Sequence, residues 1–121
     1  MIRLVVSAAL GAASVFVCAP AQADGWSFTV LDDGFDQETC MNRARAVLDI
    51  YARRYGGSPD IVESDWTIAG YDIEAGVNTS FICRTEGGTD SGWLVTHSVD
   101  EGDDARSEVH GRLRDIWNAP K

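Results

Sequence analysis

The chain has 121 residues, with 19 acidic against 10 basic side chains and a net charge of −9. This length supports one small domain with a single modest core. The negative field repels phosphates, which disfavours nucleic acid and anionic lipid as partners and leaves basic proteins, cationic peptides or metal cations; it also serves solubility.

Residues 1–23 read as a secretory signal peptide. Arg3 supplies the positive start, residues 4–17 an apolar run too short to span a bilayer, and Ala21-Gln22-Ala23 a small-residue cleavage site. Cleavage is expected between Ala23 and Asp24. Residues 24–121 then form one α+β domain of 98 residues; because the leader holds Arg3 and no acidic residue, the net charge becomes −10. The expected address is periplasmic or secreted, where disulfides persist. Removing the leader also removes Cys18 and leaves Cys40 and Cys83 as an even pair. A rival reading makes Cys18 the acylated first residue of a lipoprotein, but Val15-Phe16-Val17 puts bulky side chains where that cleavage wants a small one. Either route leaves Cys40 and Cys83 to each other. No later stretch is apolar and long enough for a membrane span, so the mature chain is expected to be soluble.

Residues 26–30, Trp-Ser-Phe-Thr-Val, alternate large apolar with small polar side chains, the period of a strand with one buried face. Asp36 then stands as an N-cap, and Phe35 is placed to pack against Cys40 as a staple. In the helix that follows, Cys40, Ala44, Val47, Leu48, Tyr51 and Tyr55 make one apolar stripe, with acidic residues at its start and Arg53 and Arg54 near its end. Gly56, Gly57 and Pro59 supply the stop. Three strands are expected next. The first covers about residues 65–73, where the alternation of Trp66, Ile68, Tyr71 and Ile73 slips once; a bulge at Gly70 could bring all four to one face, with two-sided alternation as the alternative. The second, residues 77–84 after a turn at 74–76, puts Val77, Thr79, Phe81 and Cys83 on one side. The third, residues 93–99 after a polar loop at 85–92, alternates Trp93, Val95 and Val99. A closing helix follows the acidic stretch 100–104, with Ala105, Val109, Leu113, Ile116 and Trp117 inward.

The expected fold is therefore α+β, in the order β-α-β-β-β-α, an antiparallel meander with two helices packed on one face. Cys40 points inward from the first helix and Cys83 inward from the central meander strand, so the two periodicities independently predict a Cys40–Cys83 disulfide. In the chain-entropy picture this 44-residue loop contributes about 4 kcal/mol. A redox-catalytic role is not supported, because catalytic pairs are usually close in sequence, as in C-x-x-C.

His97 follows Trp93 and Val95 and reads as a semi-buried, hydrogen-bonded side chain; His110, beside inward Val109, reads as a surface residue. There is no H-E-x-x-H, paired C-x-x-C or G-x-S-x-G. Asp65 with Asp72 is too generic a carboxylate pair to indicate a glycosidase. The 100–104 cluster lacks the ligand pattern of a calcium loop and is better explained as helix capping; Gly87-Gly88 has no following lysine to cradle a phosphate. No catalytic residue, metal ligand or cofactor is assigned. The four tryptophans, Trp26, Trp66, Trp93 and Trp117, are spread evenly and are expected in the core, while Tyr71, Ile82 and Leu94 are candidates for a binding surface if the helices cover only one face.

With its leader, the helix motif Glu38-Thr39-Cys40-Met41-Asn42-Arg43-Ala44 and the strand ending Phe81-Ile82-Cys83, the layout resembles small secreted or periplasmic bacterial proteins, a domain of unknown function with one helix-to-strand disulfide. That resemblance implies the scaffold and assigns no active residue. The leading functional expectation is a non-enzymatic periplasmic binding or inhibitor-type module whose partner is a basic envelope protein or peptide. Two alternatives are a small carboxylate-dependent hydrolase or isomerase, and a cation-binding envelope stress protein.

Overall fold

The computed structural model describes residues 25–31, 35–74, 76–86, 89–99 and 103–119. The expected leader and the cleavage position at Ala23 and Asp24 lie outside the described residues, as do Gly87-Gly88 and positions 100–102 of the acidic stretch.

The Asp36 side chain accepts the Thr39 backbone N–H at 2.7 Å and so satisfies an otherwise orphan donor, which starts helix α1, Gln37–Tyr55. Its buried residues are Cys40, Met41, Ala44, Val47, Leu48 and Tyr51, the expected stripe with Met41 added and Tyr55 left exposed. Gly56 and Gly57 end it at φ values of +82° and +100°, a region that side chains bearing Cβ rarely adopt. The strands are β1 (Gly25–Val30), β2 (Asp60–Glu63), β3 (Thr67–Glu74), β4 (Val77–Glu86) and β5 (Thr89–Ser98), and helix α2 (Asp103–Asn118) closes the chain. All neighbours pair antiparallel, in the order β1-β5-β4-β3-β2, and both helices pack against the same face. The anticipated α+β class and β-α-β-β-β-α order hold, with the short edge strand β2 added ahead of the meander.

The core lies between sheet and helices. Phe81, Leu94, Ile68, Ile73 and Val77 rise from the sheet to meet Val47, Leu48 and Tyr51 of α1 and Val109, Leu113 and Trp117 of α2. Trp117 stacks on Phe81 with ring centres 5.6 Å apart and takes Phe35 edge-on at 6.2 Å. The Arg43 guanidinium covers the Trp117 ring at 4.6 Å. Cys40 and Cys83 are joined by a disulfide that ties α1 to β4, with Cα atoms 5.7 Å apart. Gly92 lies opposite Cys83, and a Cβ there would stand 3.2 Å from Leu31 Cβ and 3.6 Å from Cys40 Sγ. The bare backbone on β5 thus leaves room for Leu31, while the bridge sulfur stands at ordinary contact distance.

The bulge in β3 falls at Asp72, not Gly70: the register with β4 shifts between Gly70 and Glu74, and Asp72 has φ +53°. Its backbone N–H is held by the Asn78 side chain at 2.8 Å. Three residues of β3, at 71–73, thus lie opposite Asn78 alone, and this irregularity leaves Ile68 and Ile73 buried while Tyr71 stays exposed on the other face.

Candidate functional site

On β1 the expected period is present with the opposite phase. Trp26, Phe28 and Val30 are 57%, 69% and 70% exposed, whereas Ser27 and Thr29 face the helices. The cause is α2. Its buried side includes Arg106 and His110, one turn apart, and these need hydroxyl partners beneath them. Arg106 Nε donates to Ser27 Oγ at 3.1 Å and Nη1 to Ser98 Oγ at 3.4 Å, while Nη2 pairs with Asp103 at 2.9 Å. His110 is hydrogen-bonded to Thr29 at 2.7 Å and Thr96 at 2.9 Å, and Thr96 continues to Thr79 at 3.3 Å. His110 is only 7% exposed, so it is not the surface residue expected. Burial pushes its imidazole below the ordinary value of 6.5, with the charges of Arg114 and Arg106 acting in the same direction.

The phase of β5 follows from the same layer. Leu94, Thr96 and Ser98 are buried under the helices, so Leu94 does not join the outer surface. Trp93, Val95 and His97 face the other way, as do Tyr71 and Ile82. Three of the four tryptophans expected in the core are therefore exposed: Trp26, Trp66 and Trp93, with only Trp117 buried.

The uncovered face is ordered in transverse rows. One runs Trp26, His97, Asn78; the next Phe28, Val95, Ser80, Ala69, Val62; the third Val30, Trp93, Ile82, Thr67. Trp26 and His97 pack ring against ring, their centres 4.2 Å apart. Because Ser80, Ala69 and Thr67 are small, the middle of the face sinks into a groove of about 280 Å³ whose walls include Trp26, His97 and Tyr71. Of the described side chains that alternate onto this face, only Arg84 and Asp60 carry formal charge. Arg84 lies over the Trp66 ring at 5.6 Å, at the far end from Trp26. Asp60 pairs with Tyr71, beside the bulge residue Asp72.

The Asp65 and Asp72 carboxylates do not converge. Asp65 precedes β3 and Asp72 sits near its other end, roughly 20 Å along the strand. Among the described residues, no group of three or more His, Cys, Asp or Glu side chains is arranged to hold a metal ion, and no helix is long and apolar enough to cross a membrane. Glu74 instead ties the elements together: it accepts the Tyr51 hydroxyl from α1 and pairs with Arg112 of α2 at 3.0 Å.

Sequence reasoning found Tyr71 and Ile82 as outer residues and missed Trp26, Phe28 and Trp93. A signal was present: Ser27, Thr29, Thr96 and Ser98 form a hydroxyl set that matches the i, i+4 pair Arg106 and His110. No protein-family model, no curated protein and no solved structure matches this chain.

Proposed function

We propose that this chain is a secreted, non-enzymatic binding or inhibitor-type module whose contact surface is the open face of the sheet. The observation that carries this reading is the exposure of Trp26, Phe28 and Val30 beside Trp93 and Tyr71. Five exposed or half-exposed aromatic rings, counting Trp66, amount to an apolar patch on the order of 500 Å², the size associated with functional surfaces. Aromatic side chains and arginine are also the residues enriched at interface centres. The net charge of −9 steers basic molecules toward the surface, so the partner proposed is a basic envelope protein or peptide. It would meet the sheet mainly through apolar and ring contacts.

A photo-crosslinking amino acid placed at Phe28, compared with one at exposed Arg53 on α1, tests this in living cells. Protein adducts formed at position 28 and absent at position 53 are the expected result. No adduct at 28, or equal yields at the two positions, would overturn it.

A further inference from the structure

We infer that the groove beside Trp26 and Tyr71 receives an arginine side chain of the partner. This inference rests on the reading of the open face as the contact surface, and adds what that surface recognises.

The first reason is chemical. The groove has aromatic walls at Trp26, His97 and Tyr71 and a floor of small or aliphatic side chains, including Ala69, Ser80 and Val95. A guanidinium is planar and weakly hydrated; it stacks on aromatic faces while its aliphatic stem lies along apolar surface. Among the described residues, three arginines make that contact with four rings of the chain itself. Arg43 covers Phe35 and Trp117, Arg84 covers Trp66, and Arg112 covers Tyr55 at 4.2 Å. Among the described residues, no arginine covers Trp26 or Tyr71 in this way.

The second reason is the position of charge. Asp60 is the direct cross-strand neighbour of Tyr71, and Asp72 follows Tyr71 in the chain; both are exposed. Arg84, the cation on this face, is six residues along β4 from Asn78, roughly 20 Å away. The groove end of the face is therefore locally acidic within a chain whose net charge is −9. Asn78 adds direction, since its side-chain oxygen is engaged by the Asp72 N–H and its amide is thereby held in place at the groove wall.

The test is a titration of the folded protein with hexa-arginine at low salt, with hexa-citrulline as the neutral isostere, followed by two-dimensional NMR. Hexa-arginine is expected to shift the Trp26 indole and Asn78 amide resonances. Hexa-citrulline should bind at least tenfold more weakly. Trp26→Ala and Tyr71→Ala, at exposed positions that leave the core intact, should each weaken hexa-arginine at least tenfold, while Asn42→Ala, at an exposed position on α1, should leave it unchanged. Equal binding of the two peptides would overturn the inference. So would arginine binding that both groove variants retain, because it would then be general attraction to an acidic surface. If either result came with protein adducts at position 28, the inference would fall and the binding face would stand; without adducts both would fall.

Discussion

His110 on α2 and Thr29 on β1 meet at 2.7 Å, and that contact determines which way β1 faces. A buried imidazole needs a donor or acceptor at each ring nitrogen, and Thr29 and Thr96 provide them. With hydroxyls required on the helix side of β1, alternation turns Trp26, Phe28 and Val30 outward. A polar layer inside the protein thus produces an apolar surface outside it.

That layer responds to pH. His110 is held below its ordinary 6.5 in the folded state, so on acidification the unfolded chain takes up a proton first. Its stabilising contribution is complete above about pH 6.5 and declines as pH falls from there toward the folded-state value. The melting temperature should drop across this window, and His110→Gln should flatten the drop. The substitution should cost about 1–3 kcal/mol at neutral pH, because hydroxyls are left incompletely paired. Asp36 acts in a separate window: its carboxylate is held below 3.8 by the Thr39 N–H, so its contribution is lost only in stronger acid. Thermal melts from pH 4 to 8 separate the two; an unchanged slope in His110→Gln would contradict the first assignment.

Periodicity was legible nearly everywhere, and phase only where the core itself marked it. Cys83 and Phe81 identify the buried side of β4, and Asp36 with the Cys40 stripe identifies α1. On β1 and β5 both alternating sets are plausible, and an error of one residue reverses every side chain. That is why Leu94 was expected outside and Trp93 inside. β2 escaped notice because its four residues are all exposed and carry no alternation. The bulge could be inferred from the irregular spacing of Ile68, Tyr71 and Ile73, but its place depended on Asn78 capturing the Asp72 N–H, a contact with the neighbouring strand. The candidate site was only half visible for the same reason: its walls depend on phase, and phase depends on what α2 buries.

The inverted strand has a direct stability consequence. Trp26→Ser and Phe28→Ser remove large aromatic rings, yet each should change unfolding free energy by less than about 1 kcal/mol, as exposed substitutions do. Phe81→Ala, at a fully buried ring, should cost about 3–5 kcal/mol. Urea denaturation of the three variants decides it. A loss at Trp26 comparable to that at Phe81 would mean that the tryptophan is in the core.

Tyr51 should ionise well above the ordinary tyrosine range. Burial pushes its phenol well above the ordinary value of 10, and the Glu74 carboxylate that accepts its hydrogen bond adds to the shift. The folded state therefore resists ionisation, and stability is lost as pH rises through the unfolded-state value near 10. In ultraviolet titration Tyr51→Phe should remove the last step before alkaline unfolding. Persistence of that step would assign it elsewhere.

Gly92 lies opposite Cys83, but the close approach of a Cβ there is to Leu31, so variants at Gly92 and at the bridge should act independently. Replacing Cys40 and Cys83 together by alanine should cost about 2–5 kcal/mol, mainly through the freer unfolded chain. Gly92→Ala pushes a methyl group toward Leu31 and the Cys40 sulfur, and should cost about 1–3 kcal/mol in the bridged protein. Combining the changes should cost their sum to within about 0.5 kcal/mol, since the sulfur removed at position 40 stands at ordinary contact distance from the new methyl group and the tight contact is with Leu31. Denaturation curves for the bridged, bridge-free, Gly92→Ala and combined proteins close the cycle. A combined cost well below the sum would show that the methyl group strains the bridge, and would contradict the assignment of the tight contact to Leu31.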